Sequence, residues 1–247
     1  MKVEYGSFKY KLLVAMMLAG EYPYKSLDLC RESDARKKNS ISELKNAGII
    51  TTATAYDIKR IRFKMFNKRK GEFADELFDG GAEYKPDIHE NGLSRLERKD
   101  RIAEIIIMML EAGINVTPDL KPKPDCEKAL EQNASCLPYF ITSREAREAI
   151  TIKEDKGKGA RFHGTLVSAG GMYNIYNMGS IKMGWIRPAE KTAIDFNEQY
   201  QKRMIPWGNN YAEWYGKSAI ILSRNLCYIN DFIKGKIDLR GCDNISS

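Results

Sequence analysis

Between Ser7 and Ala19 the apolar residues Phe8, Leu12, Leu13, Met16 and Met17 recur at helical spacing, and Gly20 follows. This predicts an amphipathic helix with a glycine stop. A second short helix is predicted from about Tyr24 to Cys30, with Pro23 at its start and Leu27 facing the first helix. The third is predicted from Ser33 or Asp34 to Gly48, with Ile41 and Leu44 inward, Ala47 close by, and Arg36, Lys37, Asn39, Ser40 and Glu43 outward. The period then changes. Ile49-Ile50-Thr51-Thr52 predicts a strand, residues 54–57 a turn, and residues 58–65 a second strand. In that strand Ile61, Phe63 and Met65 alternate with Arg60, Arg62 and Lys64, the mark of a half-buried ribbon with a cationic outer row.

Further on, Phe73, Leu77 and Phe78 suggest a short helix. Ser94–Ala112 predicts a long one with Leu96, Ile102, Ile105, Ile106, Met109 and Leu110 on its apolar face, serving either as a core helix or as a dimerising helix. The proline-rich stretch 115–138 reads as the domain boundary. Beyond it Leu137–Ile141 leads into a capped helix start at Thr142-Ser143-Arg144-Glu145. Strands are predicted at Arg161–Ser168, Met172–Asn177, Ile181–Ile186 and Gly216–Ser223, with a helix from Pro188 to about Met204. The pattern thus predicts an α/β (α+β) chain. Residues 1–66 form a first domain, 67–114 a helical connecting region, and 137–247 a mixed α/β domain.

Charge sharpens the picture. Residues 31–70 hold twelve Lys/Arg against four acids, an excess of eight in a chain of net charge +7, so the remainder sums to −1. A concentrated cationic segment attracts a polyanion by steering and counterion release. Three helices followed by a basic hairpin make a winged helix-turn-helix, and Leu44-Lys45-Asn46-Ala47-Gly48-Ile49-Ile50 resembles the junction between recognition helix and wing in that superfamily. A helix fits the major groove, where every base pair shows a distinct pattern of donors and acceptors. The expected DNA-binding residues are Arg31, Arg36, Lys37, Asn39 and Ser40 around the third helix, and Lys59, Arg60, Arg62 and Lys64 on the ribbon. Phosphate contacts would position the protein and base contacts would specify sequence.

The second half adds a resemblance. Tyr139, Phe140, Thr142–Glu145, Ala160–Leu166, Gly170–Gly179, and Trp185 with Glu190 and Lys191 resemble proteins of the replication-relaxation type, which accompany plasmids and integrative conjugative elements of Gram-positive bacteria. The resemblance implies a winged helix joined to a restriction-endonuclease-like core, and a role in replication, transfer or transcription of a mobile element. Replication or relaxosome proteins would then be partners.

The residues argue against catalysis. A nuclease of that type needs paired carboxylates and a lysine around a metal, yet residues 160–186 contain no Asp or Glu, so the implied core is degenerate. Glu190 and Lys191 are adjacent, not spaced by one. Asp195, Glu198 and Asp231 remain the scattered carboxylates of a rival, metal-dependent nuclease reading. A protein-interaction adaptor without DNA binding is the other rival. No phosphate-binding Gly-x-x-x-x-Gly-Lys-Ser/Thr occurs. Five widely spaced cysteines and two distant histidines, His89 and His163, suggest neither a disulfide framework nor a zinc site. Trp207, Tyr211, Trp214 and Tyr215 read as a packed helical face or a base-stacking set. The expectation is a cytoplasmic, non-enzymatic, double-stranded-DNA-binding protein with no cofactor, no metal and no membrane association. Two-fold symmetry in a homodimer would lengthen a short site.

Overall fold

The computed structural model describes residues 3–64, 92–121, 137–149, 162–169, 171–179, 193–200 and 218–233. The chain is mixed α/β, with helices and two sheets, and divides into two compact units, Met1–Leu120 and Lys121–Ser247. The division falls inside the proline-rich stretch.

In the first unit α1 spans Phe8–Ala19. Ser7 caps it by accepting a hydrogen bond from the Tyr10 N–H at 3.3 Å, and Gly20, at φ 90°, donates to the Met16 carbonyl. The apolar stripe read from the sequence is only part of its buried surface: Val14, Ala15 and Leu18 are inside as well. The helix is enclosed because α3 (Leu93–Glu111) packs against it on one side and the sheet and α2 on others. Thus α3, which periodicity places in a connecting region, packs on α1 and on β1 (Glu21–Pro23). The second helical segment, Tyr24–Leu29, is a 3-10 helix.

α2 spans Asp34–Asn46, with Ser33 as its N-cap. Ala47 is its C-cap, and Gly48, φ 67°, follows. The Gly48 N–H donates to Lys45 O and the Ile49 N–H to Leu44 O, both at 2.9 Å, so the left-handed glycine closes the last carbonyls and redirects the chain. β2 (Ile50–Ala55) and β3 (Ile58–Phe63) then form an antiparallel hairpin. Its two-residue turn is Tyr56-Asp57, at φ 50° and 59°, and two successive positive φ values match the twist of such a hairpin. β1 adds to β3, giving the order β1-β3-β2.

In the second unit β4 (Tyr139–Thr142) runs directly into α4 (Ser143–Ala149). The capped start is reciprocal: the Glu145 N–H donates to Thr142 Oγ1 at 3.2 Å, and the Thr142 N–H to Glu145 Oε2 at 2.7 Å. β5 (Phe162–Ser168) and β6 (Gly171–Gly179) follow, then helix α5 over 193–200, β7 (Ser218–Ser223) and α6 (Leu226–Ile233). The sheet order is β4-β5-β6-β7, with β7 parallel to β6 and the other pairs antiparallel. Tyr139, Phe162, Val167, Met172, Tyr176, Phe196 and Tyr200 belong to its core. Gly164 is obligatory in β5. It sits at φ 154° beside a register shift, and a Cβ there would lie 2.2 Å from the Ile141 carbonyl oxygen and 2.5 Å from the Phe140 ring. The helix read at 73–78, the strand Ile181–Ile186, Glu190, Lys191 and the aromatic set at 207–215 lie outside the described residues.

Candidate nucleic-acid interface

α2 buries Ile41 and Leu44 and leaves Arg36, Lys38, Asn39, Ser42, Lys45 and Asn46 exposed, with Ser40 half-buried. Helical spacing sets Ala35, Asn39, Ser42 and Asn46 on one outward strip, with Arg36 and Lys38 to either side. The strip consists of small, amide and hydroxyl side chains, which can approach a surface closely and exchange hydrogen bonds with it. Glu43, an acid near this strip, is paired with Lys9 of α1.

Lys37 does not belong to that surface, which corrects the outward placement read from the sequence. It is 7% exposed. Its ammonium donates to the Leu27 carbonyl at 3.0 Å and the Cys30 carbonyl at 3.5 Å, and pairs with Asp34 at 2.9 Å. The residue lies one turn before Ile41 on the inward face, and it closes the carbonyls at the end of the 3-10 helix. The Asp34 hydrogen bond raises the Lys37 pKa and lowers that of Asp34.

The ribbon splits its cations in the same way. Arg62, Lys64 and Lys59 are exposed, and Lys59 stands 4.5 Å above the Tyr24 ring. Arg60 is 1% exposed, a second correction. The alternation of the strand holds, for Ile61 and Phe63 are buried between exposed Arg62 and Lys64. At Arg60, however, Asp100 of α3 covers the outer row. The guanidinium holds both Asp100 oxygens, at 2.9 and 2.8 Å, and donates to the Ala55 carbonyl at 2.9 Å, with Glu21 at 3.9 Å. Burial disfavours its charge, but the Asp100 hydrogen bonds and the nearby carboxylates outweigh that and raise its pKa. Arg31 is 77% exposed, 4.0 Å from Glu111.

The structure therefore keeps seven of the nine expected residues at least partly accessible and takes Lys37 and Arg60 inside. Lys38, Ser42, Lys45 and Asn46 join the accessible set. Helical spacing from Ile41 and Leu44 identifies them, once Lys37 is assigned to the inward face. Lys45 reaches Thr52 of β2 at 3.4 Å, which links the end of α2 to the hairpin.

In the second unit, Asp195 is half-buried and Glu198 exposed on α5. Thr165 Oγ1 donates within a neutral cluster with Asn174 and Asn197, at 3.1 Å to each carbonyl oxygen. His163 Nδ1 accepts from the Asn177 N–H at 3.2 Å. Among the described residues no group of three His, Cys, Asp or Glu could hold a metal ion, and no helix is long and apolar enough to cross a membrane. No family model, curated protein or solved structure matches this chain.

Proposed function

We propose that the first unit is a winged helix that binds double-stranded DNA, with α2 in the major groove and the β2–β3 hairpin as the wing. The observation that carries this reading is the division of the cations. Arg36 and Lys38 on the helix, and Arg62 and Lys64 on the ribbon, stay exposed although the fold has internal uses for Lys37 and Arg60. The order helix, strand, short helix, helix, hairpin, with β1 completing the sheet, supports it. In this arrangement Asn39, Ser42 and Asn46 meet base edges and the flanking cations meet phosphates. Asn39 is suited to paired hydrogen bonds with adenine.

The replication-relaxation resemblance extends the proposal to a regulator or accessory factor of a mobile element, acting in replication, transfer or transcription, with the second unit as a degenerate, non-catalytic core. The test is fluorescence anisotropy of the full chain on a random-sequence duplex across a salt series. Binding should weaken steeply with salt. The joint change of Arg36, Lys38, Arg62 and Lys64 to Ala should flatten the log–log slope by up to about 3.6, since each phosphate left without its cation removes ~0.9. Unchanged affinity and slope in a folded quadruple variant would remove the proposal.

A further inference from the structure

Where the start of α1 meets the end of α3, a cavity of about 300 Å³ is lined by Tyr5, Tyr10, Lys11, Glu111, Asn115 and Thr117 among others. That volume suits a small organic molecule. We propose that this cavity binds a small organic cation, a primary ammonium carried on a flat apolar body.

Three observations converge on that chemistry. The first is an orphaned acceptor next to a carboxylate. Thr117 is 2% exposed, and its Oγ1 has no hydrogen-bond partner among the described residues. Beside it Glu111 Oε1 is buried and ion-paired with Lys11 Nζ at 3.0 Å, with lone-pair capacity left for a further donor. Polar atoms buried in this way are costly unless something bonds to them. A ligand N–H can donate to both kinds of oxygen. A carboxylate or phosphate ligand could use the hydroxyl but would face the Glu111 oxygen with like charge.

The second is the local balance of charge. Lys11 is shared between Glu111 and Glu32, at 3.0 and 3.6 Å, and Arg31 stands 4.0 Å from Glu111 with its own side chain mostly in solvent. Asp119 adds a third acid close enough, after burial and Tyr5, to help hold the Tyr10 phenol above its ordinary pKa. Of these Glu111 and Lys11 line the cavity itself, and with Glu32, Asp119 and Arg31 around them acids outnumber cations three to two. The third is the wall: the Tyr5 ring lies 4.8 Å from that of buried Tyr10 and is largely exposed, so an aromatic face is available to an ammonium or to the body that carries it.

The experiment is calorimetric titration of the full chain with benzylammonium, and with benzyl alcohol and benzoate as its neutral and anionic counterparts. Saturable binding of benzylammonium, with at least tenfold weaker binding of the other two, is expected. Thr117→Val keeps the side-chain volume and Glu111→Gln removes the charge. Each should weaken benzylammonium roughly tenfold, the scale of one hydrogen bond to a charged group. Far-ultraviolet circular dichroism and urea unfolding of each variant check the fold independently of ligand binding and of the proposed DNA contact. Absence of saturable binding, equal binding of benzoate, or indifference to Thr117→Val in a folded variant overturns the proposal.

Discussion

The outward surface of α2 and β3 and the layer beneath α3 draw on the same stretch of sequence and use its cations in opposite ways. Arg36 and Lys37 are neighbours, and so nearly are Arg60 and Arg62. In each pair one side chain reaches solvent and the other is held inside by named acceptors. A cationic run is therefore not one surface. What decides each residue's fate is whether an acid or a set of carbonyls lies within reach on the inner side.

The sharpest way to break this comparison is to remove the acid under Arg60. Asp100→Ala leaves the buried guanidinium with only the more distant Glu21 and backbone carbonyls to offset it, and should destabilise the full chain by up to about 3–5 kcal/mol in urea unfolding. Arg62→Ala on the same strand should stay within about 0.5 kcal/mol. Equal effects from the two would erase the distinction. Lys37→Ala comes next. It strips donors from two buried carbonyls and should cost about 1–3 kcal/mol while leaving the salt dependence of DNA binding unchanged. Its sequence neighbour Lys38→Ala should do the reverse, lowering the salt slope by about one with stability near wild type. Replacing the turn pair Tyr56-Asp57 by Asn-Gly has the smallest effect expected, a gain of roughly 0.5–1 kcal/mol in thermal unfolding, because both positions hold positive φ, which the Tyr56 side chain resists and which Asn-Gly adopts readily. A loss of stability there would show that Tyr56 serves the fold through its ring.

Local signals are the legible part. Ser7, Gly20, Ser33 and Gly48 bound their helices as their chemistry requires, and the Thr142–Glu145 cap closes reciprocally. The alternation from Arg60 to Lys64 carries the ribbon. Lys37 and Arg60 depart from the sequence pattern for a physical reason. Periodicity reports which face a residue occupies, but burial of a charge depends on partners that periodicity does not see. For Arg60 that partner is Asp100, forty positions away. For Lys37 the partners are carbonyls at the end of a helix whose 3-10 geometry its own residues do not announce. The same blindness puts α3 in a connecting region, since its apolar face does not reveal that α1 is its partner. The Gly164 approach is equally non-local, for it is Phe140 and Ile141 on the adjacent strand that exclude a side chain.

The Arg60–Asp100 pair has one more consequence. It ties the hairpin to a nineteen-residue helix by two hydrogen bonds in a dry setting, and a third, to the Ala55 carbonyl, secures the strand beside the turn. A ribbon anchored in this manner is preorganised: under the proposed DNA-binding reading, little conformational entropy would remain to be lost on docking. Severing the anchor should therefore show itself in docking kinetics as slower productive capture, even at temperatures where the chain stays folded.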